Sequence, residues 1–179
     1  MTDVPTADEQ PDTLIEALER SDNERRFGRA ERIRWASQYY VDAGIIVGEV
    51  EMLNLLREAR ECFVDGHYVA TLMLATALIE HVIHEELDSI GMAKLRLSFD
   101  DSIKLARRES LFPEDLLSTA DQLRIYRNPF AHRKPSEHPH TLGNRYIAQR
   151  RHPNRVLEED ARSAIVAMYG HFKHTLRAA

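Results

Sequence analysis

Apolar residues recur every three or four positions along most of this chain, which is the spacing of one face of an α-helix. The clearest case covers residues 67–90, where a continuous apolar side is followed by Gly91, a common helix end. The preceding segment, about residues 47–64, has the same period and stops at Asp65-Gly66. Two long helices joined by so short a turn are predicted to pack as an antiparallel hairpin.

Four more segments have helical spacing: about residues 24–43, 101–108 with Ser98 or Asp100 as the cap, 113–127 and 157–176. Residues 133–156 contain four helix-breaking residues and no apolar period, so a long basic loop is expected there. No segment alternates apolar and polar residues as a strand would. The predicted fold is therefore all-α, an antiparallel up-and-down bundle of four to five core helices with an extra N-terminal helix.

Residues 1–23 differ from the rest of the chain because they are acidic and contain little apolar surface. We expect them to form a partly disordered arm, in which Leu14, Ile15 and Leu18 make one helical turn. Residues 24–179 are then a single helical domain that includes the basic loop. The chain has neither a secretory signal pattern nor an apolar run long enough to span a membrane, so a cytoplasmic protein with no membrane partner is expected.

The formal net charge of −5 argues against a polyanionic partner until its distribution is considered. Residues 1–24 hold eight acids and one base, a net charge of −7 that exceeds the total for the whole chain. Residues 133–157 hold six bases and one acid, a net charge of +5. The predicted loop is therefore a local basic surface.

The segment that combines the most reactive residue types is Arg127-Asn128-Pro129-Phe130-Ala131-His132. Arginine is a permanent cation that matches phosphate geometry, and histidine has an ordinary pKa near neutrality, so the pair is suited to phosphoryl chemistry. On a continuous helix the two side chains would lie about 140° apart. Because Asn128 is a good N-cap and Pro129 a good first helical residue, we expect a kink that turns both side chains to one pocket. The alternative is an arginine and a histidine that only stabilise a helix end.

This segment resembles the signature of the HEPN superfamily, the higher-eukaryote and prokaryote nucleotide-binding domains. In that signature a polar residue directly follows the arginine, and a histidine lies four positions after the polar residue. The paired helices around Asp65-Gly66-His67-Tyr68 and Ala77-Leu78-Ile79-Glu80 are similar to those that precede the signature in the family. The resemblance covers about residues 52–176. It implies a helical bundle that forms a homodimer, and in many members a metal-independent ribonuclease of toxin or phage-defence type. Some HEPN toxins have a tyrosine two residues after the histidine, where this chain has Lys134.

The resemblance implies that two copies place their signatures in one cleft and cleave RNA through its own 2'-hydroxyl. His132 would transfer a proton, Arg127 would hold the phosphoryl oxygens, and Asn128 would orient the histidine or the phosphate, or be purely structural. Basic residues of the neighbouring segments would bind the RNA backbone; these are Arg124, Arg133, Lys134, Arg145, Arg150 and Arg151.

Glu80 interrupts the most apolar helix, so it is a possible supporting carboxylate near Arg127 or Arg124, or else part of a surface stripe. No cofactor and no metal site is predicted, because the histidines at 81, 84, 138 and 140 lack a regular ligand spacing. The alternative function is a non-catalytic helical module that binds RNA, nucleotide or a partner protein. An antitoxin or a nucleotidyltransferase is a further expected partner.

Overall fold

The computed structural model describes residues 10–40, 50–92 and 97–176, and these residues form seven α-helices. Their bounds are α1 (Gln10–Ala36), α2 (Val50–Asp65), α3 (Tyr68–Ser89), α4 (Phe99–Arg108), α5 (Glu114–Ala131), α6 (Leu142–Gln149) and α7 (Pro153–Thr175). Within these ranges there is no strand, which confirms the predicted all-α class. No helix among them is long and apolar enough to cross a membrane.

Helix α3 is the centre of the bundle and packs mainly against α2 and α7. Its apolar side, which includes Leu72, Ile79 and Ile83, is fully buried, as is Met168 of α7. Gly66 has φ +82° at the turn between α2 and α3, a backbone conformation that residues with a Cβ atom rarely adopt. The predicted helical hairpin is therefore confirmed, and it provides the rigid surface on which the other helices pack.

Helix α5 lies against α3, α4 and α7. The Ser98 hydroxyl accepts a hydrogen bond from the Asp101 backbone N–H, so the predicted cap of α4 is confirmed. A Cβ atom on Gly170 of α7 would lie 2.7 Å from Cδ2 of Leu116, so the bare glycine allows α7 to approach α5 closely. This close approach positions the first turn of α5 against α7.

The N-terminal helix begins earlier than predicted. α1 starts at Gln10 rather than near residue 24, so most of the expected partly disordered arm is helical. Many charged side chains in this segment have good helix propensity. The low apolar content that suggested disorder leaves the helix without a buried face but does not prevent the helix from forming. Residues 1–9 of the arm, and residues 41–43 at the predicted end of this helix, lie outside the described residues.

The prediction of one long loop over residues 133–156 is wrong. Helix α6 occupies its middle, with the Thr141 side chain accepting a hydrogen bond from the Asn144 N–H and Arg150 ending the helix in the left-handed conformation. Helix α7 then begins at Pro153 rather than at Leu157, because proline fits the first helical position. An eight-residue helix is too short to show a clear apolar period.

The predicted helix break at Asn128-Pro129 is also absent. α5 continues through Pro129 to Ala131, and the His132 N–H still donates to the Asn128 carbonyl oxygen at 2.8 Å. Proline so close to the end of a helix removes one backbone hydrogen bond without ending the helix. Asn128 is therefore an internal helical residue and not an N-cap.

His171 of α7 is fully buried, and its Nδ1 atom lies 2.8 Å from the carbonyl oxygen of Ala167. Burial lowers the pKa of His171 from 6.5 to about 4. Between these two values the unfolded chain binds a proton that the folded chain does not. Acidification from pH 6.5 to pH 4 is therefore expected to lower the free energy of unfolding by about 3 kcal/mol through this residue.

Urea unfolding at a series of pH values measures this loss. The variant His171→Leu removes the titrating group from the same buried position, so its free energy of unfolding should fall less over this pH range. An equal fall in the variant and the wild type would contradict the assignment to His171.

Candidate functional site

The centre of the candidate site is an ion pair between two core helices. Arg127 of α5 donates from Nη2 to Oε2 of Glu80 on α3 over 3.2 Å, and the two side chains are 19% and 28% exposed. The Arg127 Nε atom is buried without a hydrogen-bond partner. A guanidinium has five N–H donors, so this contact fixes Arg127 and still leaves donors for an anion. The contact agrees with the expectation that Glu80 lies near Arg127 or Arg124.

His132 is exposed, whereas Arg127 is half-buried. It is the C-cap residue of α5, with an extended backbone and an exposed side chain. No hydrogen bond joins it to Arg127 within the described part of the chain. Because α5 is not interrupted at Asn128, the break that was expected to turn both side chains to one pocket is missing. Asn128 is half-buried, and its backbone carbonyl oxygen accepts a hydrogen bond from the His132 N–H in the last turn of α5.

Arg145, one of the predicted RNA-binding residues, is buried instead. Its side chain is 7% exposed and makes two hydrogen bonds to Asp160 of α7, at 2.7 and 2.6 Å. Its Cζ atom also lies 3.5 Å from the centre of the Tyr126 ring. Burial raises the pKa of the Asp160 carboxyl, and the hydrogen bonds from Arg145 oppose this shift. A guanidinium enclosed in this way is not free to hold phosphate, so its burial conflicts with the predicted role.

This Tyr126–Arg145–Asp160 cluster joins α5, α6 and α7. Its member on α5, Tyr126, directly precedes Arg127 in the sequence. The sequence prediction did not identify Tyr126 or Asp160. Asp160 falls between Val156 and Ala164 at intervals of four, and both of these residues are buried. A carboxylate on the buried side of a helix needs a partner, so the position of Asp160 in the sequence could have indicated a buried cation nearby.

The other predicted RNA-binding residues divide into two groups. Arg124 pairs with Asp121 at 2.7 Å and with Asp100 at 2.9 Å, and Arg151 pairs with Glu159. In the described ranges no ion pair engages the remaining three, which are the exposed Arg133 and Arg150 and the half-buried Lys134. Among the predicted RNA-binding residues, the unpaired cations therefore lie next to His132 and at the end of α6.

The chemistry available at this end of α5 is that of cations and an imidazole. Over residues 10–40, 50–92 and 97–176 the structure contains no group of three or more histidine, cysteine or acidic side chains arranged to hold a metal ion. The arrangement provides one anchored guanidinium, one exposed imidazole and nearby unpaired cations.

Comparison of this chain with protein-family models, with curated proteins and with solved structures found no match. Its function is therefore inferred from its own residues and from their arrangement.

Proposed function

We propose that this chain is a metal-independent endoribonuclease of toxin or defence type, which cleaves RNA through its 2'-hydroxyl at a site shared by two copies. The observation that carries the proposal is the Arg127–Glu80 ion pair. It fixes a cation between α3 and α5 near the end of the helix that presents His132. In this role the protein acts in the cytoplasm, where an antitoxin or a nucleotidyltransferase is the partner that restrains it.

Cleavage through the 2'-hydroxyl requires three contributions. One group removes the proton of the hydroxyl, a second group protonates the 5'-oxygen that leaves, and cations stabilise the charge on the phosphorane. Arg127 has donors left for the phosphoryl oxygens after its contact with Glu80. Arg133 and Lys134 directly follow His132 and supply the positive charge that binds the RNA backbone.

A shared site follows from the number of proton-transfer groups. In each chain the signature supplies one histidine, whereas the reaction needs both a base and an acid. Two copies related by a two-fold axis would contribute two histidines and two arginines to one cleft. Asn128, which is half-buried, would orient the histidine or the phosphate, or be purely structural.

The second candidate function is a non-catalytic module that binds RNA, nucleotide or a partner protein. The observation that favours it is the pairing of Arg124, Arg145 and Arg151 with carboxylates. These ion pairs reduce the number of cations that are free to bind an extended RNA backbone, so within this candidate they favour a nucleotide or a partner protein as the ligand.

Incubation of the purified chain with single-stranded RNA in EDTA tests the proposal. We expect fragments that end in a 2',3'-cyclic phosphate, and no cleavage of RNA that carries a 2'-deoxynucleotide at the cleavage position. A preparation of the variant His132→Ala made in parallel controls for contaminating nucleases. Binding without cleavage would favour the non-catalytic module, and cleavage that requires a divalent cation would contradict the metal-independent mechanism.

A further inference from the structure

Helix α1 exposes large apolar side chains that the bundle does not cover. Leu14 and Leu18 are 63% and 56% exposed, and Ile15 and Ile33 are about half exposed. Every residue from Thr13 to Phe27 except Ser21 is exposed. This half of α1 therefore obtains little stabilisation from packing on its own chain.

The C-terminal half of α1 is attached to the bundle by polar contacts with the end of α2. The Nε atom of Arg32 donates to the Val64 carbonyl oxygen at 2.8 Å, and Arg29 pairs with Asp65 at 2.9 Å. Since Asp65 is the last residue of α2, the part of α1 before these contacts extends beyond the end of α2. Most of the stability of a helix in a protein comes from packing of one face rather than from helix propensity, so a second surface would stabilise this part of α1.

One side of α1 has a self-complementary pattern. Ile15, Leu18, Asp22, Arg26 and Ile33 follow one another at intervals of three, four, four and seven residues, which places them on one side of the helix. If two such helices lie antiparallel and cross at residue 24, each Ile15 meets the Ile33 of the other copy. In the same register each Asp22 meets an Arg26.

We propose that α1 is a docking surface for the α1 helix of a second copy of this chain, in this antiparallel register. The charges of the helix are complementary in that orientation. Residues 13–24 carry four acids and one arginine, whereas residues 25–36 carry five arginines and one glutamate. A two-fold axis through the middle of the helix pair places each acidic half against a basic half.

The central charges are available for such pairing. In the described chain no ion pair engages Asp22, Arg25 or Arg26. The residues from Ile15 to Ile33 span about 28 Å of helix, with apolar contacts at both ends and two ion pairs in the middle. The docking surface is separate from the Arg127–Glu80 ion pair, and it does not depend on RNA cleavage.

Sedimentation equilibrium of the full chain without RNA tests the docking surface. We expect a dimer in the wild type. The charge reversals Asp22→Arg and Arg26→Asp, made separately, should each raise the dimer dissociation constant by about ten- to a hundredfold, because each places like charges together twice.

Mixing the two single variants should restore association, since cations then face carboxylates across the helix pair. This mixture separates docking from loss of helix stability, because each chain keeps its own like charges four residues apart. Glu24→Arg is the matched control, because Glu24 lies about 180° from Ile15 around the helix and should leave the dissociation constant unchanged.

Three results would overturn the proposal. They are a wild-type chain that is still monomeric at about 100 µM, single reversals that dimerise as well as the wild type, and a mixture of the two reversals that does not associate. The first result would contradict both this docking surface and a shared RNA site that forms without RNA. The second would contradict only the docking surface and would leave dimerisation to the cleft that contains His132.

Discussion

Replacement of His132 by alanine is expected to lower the rate of RNA cleavage by about 10²- to 10⁴-fold, the usual contribution of a positioned proton-transfer group. His132 is exposed, and only its backbone N–H contributes to the last turn of α5. The variant should therefore keep the fold and the thermal stability of the wild type. Initial cleavage rates in EDTA, together with a thermal unfolding curve of each protein, measure both expectations.

A matched control is His67→Ala, which removes another exposed histidine, at the turn between α2 and α3. It should cleave RNA at the wild-type rate. Cleavage by His132→Ala at the wild-type rate would contradict the catalytic role of the histidine. A loss of activity that accompanies a lower melting temperature would place His132 among the residues that maintain the fold.

The variant Asp160→Asn is expected to lower the free energy of unfolding by about 3 to 5 kcal/mol. Arg145 and Asp160 are both buried, and their two hydrogen bonds compensate the cost of removing two charges from water. The asparagine has nearly the same shape but leaves the guanidinium without a counterion. For a chain of this size the melting temperature should fall by roughly 10 °C.

Glu159→Gln is the matched control for this substitution. Glu159 is the preceding residue and pairs with Arg151, but both side chains are more than half exposed. Loss of an exposed ion pair should change the free energy of unfolding by less than about 1 kcal/mol. The double variant Arg145→Met with Asp160→Leu should recover most of the stability lost in Asp160→Asn, because it removes both buried charges together. Equal stability of Asp160→Asn and the wild type would contradict the importance of the buried pair.

The local features of the fold were predictable from the sequence because they depend on neighbouring residues. The α2–α3 hairpin was predicted from the apolar period of two segments and the Asp65-Gly66 turn, and the cap of α4 was limited to Ser98 or Asp100, of which the structure shows Ser98. In each case a periodic apolar face or a capping side chain favours one local conformation. The errors at Pro129 and in residues 133–156 also have local causes. Proline near a helix end and a helix of eight residues both give weak signals.

The candidate site was predictable only in part. Arg127 was identified by residue type and Glu80 by its position within an apolar helix, and the structure places them in contact. The burial of Arg145 was not predicted because its partners, Tyr126 and Asp160, lie 19 residues before it and 15 residues after it in the sequence. Spacing along a helix does not predict such contacts, because they depend on how three helices pack.

The sequence by itself determined that the chain is all-α, that two long helices form a hairpin, and that Arg127 and His132 lie near a helix end. These properties follow from local conformational preference and from apolar periodicity. The tertiary structure decided which cations are free and which are neutralised. It pairs Arg127 with Glu80, buries Arg145 against Asp160, and leaves Arg133 and one side of α1 exposed. The physical reason is that the environment of a charge depends on residues that only the packing of helices brings together.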